Sequence, residues 1–420
     1  MSELTIQGIG ITALAQTYGT PLFVYDGDVL RRQFQQLRDV LDTRVEMFYS
    51  LKANPNVSIC ALLHSLGARA EVSSIVELMT ARRAGVDPEN IIFLGPGKSD
   101  EELAACLDEG IFAIVCESFE ELGRIDELAA ERGLTAPVAL RVNPSFTTTG
   151  AGLTMSGKPR QFGIDGDQLL AATDLVARHP HVRFLGVQVY LGTRILKESD
   201  IVDNTARILE LAQELSDRLG IALDLVDVGG GLGVAYFAKE TDLDHEVLAA
   251  GLNPLFAAFA DAHPGTRLAM ELGRYLAAHS GTYVARVRYV KTSMGEKYAV
   301  TDGGTNHHMA AVGIGSFVKR NFPMALLNRI DEDADETWQV CGPLCTPNDQ
   351  LGKDVPLPAV RPGDLFGVLR SGAYGPTASP GLFLSHGYPA EVLVDEGVDH
   401  LVRERDRPAD LMRPQRLYKE

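Results

Sequence analysis

A chain of 420 residues, 45% of them hydrophobic, is too long for one small core and apolar enough to fill two. Its formal net charge of −17 excludes nucleic acid and anionic membrane as partners for the surface as a whole, so an anionic ligand needs a local site that overcomes this field. No basic segment followed by an apolar run opens the chain and no stretch reaches the roughly 20 apolar residues that span a bilayer. The five scattered cysteines fit a reduced, cytoplasmic protein better than a disulfide scaffold.

From about Pro21 to about His279 short apolar runs alternate with helical patterns. Val45–Ser50 reads as a strand, and Ser58–Leu66 places apolar residues at helical spacing. Ile91–Leu94 is a second run, and Ser99 with Glu102 opens a capped helix over Ser99–Asp108. Ile111–Val115 precedes a helix over Ser118–Arg132. Val138–Val142, Phe184–Tyr190, Leu223–Val228 and Arg267–Glu271 complete the strands. Counting Phe23–Tyr25 or Ala68–Val72 brings the total close to eight, so this βα rhythm predicts a parallel (β/α)8 TIM-like barrel over residues 21–280. Beyond it, Thr282–Val290, Glu296–Thr301, Thr337–Val340, Leu365–Leu369 and Ala390–Val394 read as strands of a C-terminal mostly-β domain over residues 281–420, with residues 1–20 as a candidate to pack on it. The Pro-rich piece Val355–Pro362 reads as a surface connection.

In such barrels chemistry sits where strands end. Lys52, in Tyr49-Ser50-Leu51-Lys52-Ala53-Asn54-Pro55, follows an apolar strand, and a lysine in a barrel mouth can form a Schiff base with an aldehyde. Taken alone it is more commonly a surface lysine. Gly229-Gly230-Gly231, after a strand, offers backbone N–H groups to a phosphate, although a plain turn is equally compatible. Glu271 in Glu271-Leu272-Gly273-Arg274 can keep a pyridine nitrogen protonated, and Arg274 can hold phosphate oxygens; alone, the pair reads as a surface ion pair. Cys341 and Cys345 have no second pair at zinc spacing, and adjacent His307 and His308 rarely ligate one ion, so no metal is expected; the histidines read as loop residues at the substrate entrance.

These segments, with Arg141-Val142-Asn143-Pro144, Gln161-Phe162-Gly163, Cys341-Gly342-Pro343-Leu344-Cys345 and Gly372-Ala373-Tyr374-Gly375 in the same order, resemble the fold-type III pyridoxal-phosphate enzymes, the group of diaminopimelate, ornithine and arginine decarboxylases and of alanine racemase. The resemblance covers nearly the whole chain. It implies that Lys52 carries pyridoxal 5′-phosphate and that Glu271 pairs with the pyridine nitrogen. It also implies that Gly230, Gly231, Arg274 and Tyr374 bind phosphate with Thr193 near it, that Arg141 approaches the phenolic oxygen, and that Glu71 and Glu77 lie near the lysine. It further implies a homodimer in which the partner contributes the Cys345 loop, with Cys345 as proton donor to the product.

Two departures narrow the expectation. Where the family's decarboxylases commonly have His-x-Gly-Ser, this chain has Tyr190-Leu191-Gly192-Thr193, so Tyr190 would stack on the cofactor without an imidazolium. Thr346 stands where diaminopimelate decarboxylases have Glu and ornithine decarboxylases Asp, carboxylates that recognise a distal amine; Asp349 is the remaining candidate for that task. These features resemble a smaller branch that includes the butirosin-pathway decarboxylase of glutamate carried on an acyl carrier protein, and exosortase-associated relatives. The resemblance then implies decarboxylation of an amino acid lacking a free distal amine, with a carrier-tethered one among the candidates. A diaminopimelate or other basic amino-acid decarboxylase, a racemase, and a pyridoxal-phosphate-binding regulatory protein are the alternatives. Lys319 and Arg320 are the candidate basic patch for a carrier, though such a pair is more commonly a solvated turn.

Overall fold

The computed structural model describes residues 2–147, 150–312 and 320–419. The chain divides into two compact units, one of Gln33–Val234 with Thr241–Leu276, the other of Met1–Arg32 with Ala235–Glu240 and Ala277–Glu420.

The first unit is a closed barrel of eight parallel strands: β1 (Val45–Ser50), β2 (Arg69–Val72), β3 (Ile91–Phe93), β4 (Ala113–Cys116), β5 (Ala136–Asn143), β6 (Val182–Gln188), β7 (Leu225–Gly230) and β8 (Arg267–Leu272). Each pairs with the next in sequence, and β8 pairs with β1 to close the ring. Phe48, Ile92, Ala113, Val115, Ala139, Leu185, Leu225 and Ala269 meet in one buried cluster. These come from seven of the eight strands, which only a closed interior permits. The helices that cover the barrel start on repeated Ser-x-x-Glu signals. Ser74, Ser99 and Ser118 each accept a hydrogen bond from the backbone N–H of Glu77, Glu102 and Glu121, and the Ser99–Glu102 pair is reciprocal.

The second unit is built around a nine-stranded sheet that includes Gly281–Ser293, Glu296–Thr301, Glu336–Cys341, Gln350–Leu357, Leu365–Leu369 and Ala390–Asp395. Two sequence expectations change here. Leu22–Asp26 is not a barrel strand; it runs between Gly281–Ser293 and Ala390–Asp395 in this sheet. Its side chains are buried on both faces, so the segment shows no alternation that would assign it to either sheet. Val355–Leu357, read as a connection, is the end of a strand. Pro356 is tolerated because this strand pairs on one side only, at the sheet edge.

Candidate active site

Strand side chains alternate in direction, so a residue two beyond an interior apolar one also faces the interior. Phe48, Val115, Ala139, Leu225 and Ala269 are interior, and two residues on stand Ser50, Glu117, Arg141, Asp227 and Glu271. Glu71 joins them through its register with Ser50 and with Ile92, and Gln188 through its register with Arg141 and Asp227. Closing the barrel gathers these polar groups at the C-terminal strand ends.

Lys52 follows β1 on a single 3-10 turn, Leu51–Ala53. Its Nζ donates to both oxygens of buried Glu71, at 3.0 and 3.2 Å, and lies 3.8 Å from Glu271 Oε2. The Tyr190 ring centroid is 5.5 Å from the same nitrogen. Gly273 makes this approach feasible, because a Cβ there would lie 2.9 Å from Ala53 Cβ and 3.1 Å from Ser50 Cβ. Glu77 caps its helix by accepting from Ser73 N–H at 2.7 Å. Burial and the neighbouring Glu71 carboxylate push its pKa up to about 7, with Lys52 opposing them.

Arg141 is buried and donates to Glu117 Oε1 at 2.8 Å, with its guanidinium 4.7 Å from the Phe162 ring centroid. Glu117 also accepts from Gly95 and Gly163 N–H, so it fixes the arginine between two loops. Gln188 donates to Glu271 Oε1 at 2.7 Å. Asp227 is fully buried and accepts from Gly229 N–H at 2.8 Å. Burial and the adjacent Glu271 hold the Asp227 carboxyl well above the usual carboxylate range; burial and Glu71 raise Glu271 as well, while Lys52 opposes. Glu117, Gln188 and Asp227 were not singled out from the sequence. For Glu117 and Asp227 the signal was a polar residue two positions past an interior apolar one; Gln188 lies three past interior Leu185, because its strand bulges between Phe184 and Gly186.

The glycine segment is tighter than a ligand loop alone requires. Gly229 and Gly231 have φ of +67° and +94°, a region that favours glycine. A Cβ on Gly230 would lie 1.7 Å from Glu271 O, and one on Gly231 2.1 Å from Gly192 O. Ile195 N–H donates to Gly231 O, so residues 229–233 are zipped to the segment after Tyr190. A branched side chain at Gly231 would therefore meet protein backbone before any phosphate, so such a change disturbs the fold as well as the loop. Thr193 sits in this zipped segment, bridged to Leu153. Arg274 is half-buried, two residues past the end of β8.

The remaining expected residues belong to the second unit. Tyr374 is half-buried with φ +55°. Cys345 is exposed on a short turn, and all five cysteines are free thiols. Thr346 turns its hydroxyl back to accept from Asn348 N–H at 3.3 Å. Asp349, expected to face a substrate amine, is 2% exposed and accepts from Thr305 N–H at 2.8 Å and Leu344 N–H at 2.7 Å. Its carboxylate organises the cysteine turn and is not presented to a ligand. His307 and His308 are not entrance residues either. Both are buried, with Nε2 atoms bonded to Gly387 O at 2.9 Å and Ser371 Oγ at 2.7 Å. Lys319 lies outside the described residues, and Arg320 faces Glu240 Oε1 at 3.9 Å. No group of three or more His, Cys, Asp or Glu that could hold a metal occurs among the described residues.

The barrel residues fit a pyridoxal ring. They supply an amine for its aldehyde, an aromatic face beside that amine, and a buried carboxylate, Glu271, whose Oε2 has no hydrogen-bond partner among the described residues. Comparison with known proteins agrees. Residues 27–278 match the family "Pyridoxal-dependent decarboxylase, pyridoxal binding domain". The chain is 40% identical to an L-glutamyl-[BtrI acyl-carrier protein] decarboxylase of Niallia circulans, over 96% of each chain. It is 31% identical to a diaminopimelate decarboxylase of Vibrio cholerae, covering 97% of this chain and 95% of the relative. Among solved structures, the diaminopimelate decarboxylase of M. jannaschii in co-complex with L-lysine aligns with a TM-score of 0.87 at 27% identity, over 99% of this chain and 96% of that one.

Proposed function

Because the chain belongs to the pyridoxal-dependent decarboxylase family and uses pyridoxal 5′-phosphate to decarboxylate an amino acid, we propose that its substrate lacks a free distal amine and is presented on an acyl carrier protein. The observation that carries this reading is the state of the cysteine turn. A buried cationic substrate end needs a paired carboxylate. Thr346 cannot supply one, and both oxygens of Asp349 are committed to backbone N–H groups. The 40% identity to a decarboxylase named for a carrier-bound glutamyl group supports the tether.

The bound cofactor supplies an electron sink for the carbanion left by carbon dioxide. In this reading Lys52 holds it covalently, Glu271 faces the ring nitrogen, and Tyr190 stacks on the ring. Arg141, fixed by Glu117, approaches the phenolic oxygen. Gly230, Gly231, Arg274 and Tyr374 hold the phosphate, with Thr193 beside it. Glu71 balances the charge of the Lys52 ammonium whenever the lysine is not bound to the cofactor. Cys345, exposed on its turn, delivers a proton to the product, from a partner subunit of a homodimer. The free thiols suit a reducing, cytoplasmic setting.

The test is carbon dioxide release from purified holoenzyme over free and carrier-loaded amino acids. Glutamyl carrier protein should turn over well, and free diaminopimelate, lysine and ornithine at least about 100-fold less efficiently. Efficient decarboxylation of free meso-diaminopimelate would overturn the substrate reading and leave the chemistry intact.

A further inference from the structure

The polar layer at the barrel mouth contains four buried carboxyl groups, Glu71, Glu117, Asp227 and Glu271, facing two cations, Lys52 and Arg141. Glu117 is matched by Arg141 at 2.8 Å and Glu71 by Lys52 at 3.0 Å. Asp227 and Glu271 are left, both buried at the ends of the paired strands β7 and β8, and Gln188, whose register partner is Asp227, reaches Glu271 at 2.7 Å. Two neighbouring buried carboxylates cannot both stay ionised, and a hydrogen bond between them needs a proton. Each also has one oxygen, Asp227 Oδ2 and Glu271 Oε2, that accepts from no donor among the described residues.

We infer that Asp227 is a carboxylic acid that shares its proton with Glu271, so that the pair carries one negative charge and Asp227 is the positioning residue for the carboxylate facing the cofactor. The inference rests on the proposed role of Glu271. The proton belongs on the aspartate because of what surrounds each group. Gln188 donates to Glu271 at 2.7 Å and the Lys52 ammonium lies 3.8 Å from it, both favouring the charged form. Asp227 is fully buried and has one backbone donor, Gly229 N–H.

The arrangement has a chemical consequence. A carboxylate that accepts from both an amide and a carboxylic acid is fixed in orientation and less basic than a free one. A proton lying between it and a ring nitrogen then stays on the nitrogen, the state in which the ring withdraws electrons. Asp227 keeps its own proton throughout, so proton balance at the reacting carbon is untouched.

Infrared spectroscopy of the cofactor-free protein, with and without aspartate carrying 13C in its side-chain carboxyl, reads this directly. At pH 7 the wild type should show a carboxylic-acid C=O band that shifts with the aspartate label and in D2O, and Asp227→Asn should lose it. Lack of a label-sensitive band in the wild type, or its persistence in Asp227→Asn, overturns the inference. The wild-type measurement decides even if the variant fails to fold, and it involves neither substrate nor cofactor, so its failure is separable from failure of the functional proposal. In the holoenzyme, Asp227→Ala should lower kcat about tenfold or more with KM changed little, and Asp227→Asn, whose amide can still donate to Glu271, should recover most of the loss. An Asn variant as impaired as the Ala variant overturns the positioning role.

Discussion

Lys52 leaves β1 on one tight turn and arrives among carboxylates that come from other strands, Glu71 from β2 and Glu271 from β8. The anchoring role proposed for it has a direct check. Lys52→Ala should lose the visible absorbance of covalently held cofactor and the carbon dioxide release together. A borohydride-reducible adduct that persists in the variant at another lysine would refute the assignment. Glu77 gives a pH signature. Its folded pKa of about 7 is above the ordinary 4.5, so the unfolded state releases this proton first as pH rises. The group therefore contributes stability below about pH 4.5 that is lost as pH climbs through about 7. Glu77→Gln should flatten that part of the stability profile of the cofactor-free protein, followed by denaturant titration at several pH values; an unchanged slope would count against a buried Glu77. At this scale the sequence was informative where chemistry clusters locally. Lys52, Glu271 and Arg274 stand in dense motifs at strand ends. Glu117 and Gln188 stand at ordinary strand ends and Asp227 heads the glycine segment without a role of its own there; all three acquire meaning only when the closed barrel sets Glu117 against Arg141 and gathers Gln188 and Asp227 with Glu271. The same limit applied to Asp349, whose carboxylate looked available until the backbone of Thr305 and Leu344 claimed it.

At the scale of elements, the glycine loop does two jobs that the sequence could not separate. In the proposed site it offers backbone to a phosphate, and in the fold it lets the segment after β7 pass against Gly192 and the end of β8. The second job has its own test. Gly231→Ala places a Cβ 2.1 Å from Gly192 O at φ +94°, a steric and a conformational penalty together. Cofactor-free protein carrying it should lose about 2–3 kcal/mol or more in denaturant unfolding. A loss below about 0.5 kcal/mol would mean the loop relaxes, and would return the glycines to a purely ligand-binding role. Barrel strands were readable because apolar runs between capped helices have few other solutions. β1 matched its expected limits, and the Ser99–Glu102 cap formed as read. Leu22–Asp26 was misplaced because a strand buried on both faces has the same composition in either sheet. Val355–Leu357 was missed because proline reads as a break until an edge position makes its missing N–H harmless.

For the whole molecule, the two compact units divide the expected chemistry unequally. Lys52, Glu271 and Arg274 lie in the barrel unit, whereas Cys345 and Tyr374 lie in the β unit. If each working site takes its lysine from one chain and its cysteine turn from another, two inactive chains can repair one another. A twofold-symmetric dimer has two equivalent sites. In a hybrid of Lys52→Ala with Cys345→Ala, one site combines the intact Lys52 of the second chain with the intact Cys345 of the first. The other site collects both lesions. Equal mixing with free exchange makes half of the dimers hybrid, and half of their sites sound, so activity should recover to about one quarter of the wild-type rate. Each variant alone should remain near background. Exchange must be shown independently, for instance with differently tagged chains co-purified after mixing. No recovery despite demonstrated exchange would mean that each chain completes its own site, and would remove the partner's Cys345 turn from the proposed mechanism. Recovery near one quarter would instead make dimerisation a condition of catalysis, so that dilution below the dimer dissociation constant should abolish activity while the Lys52-bound cofactor remains in place.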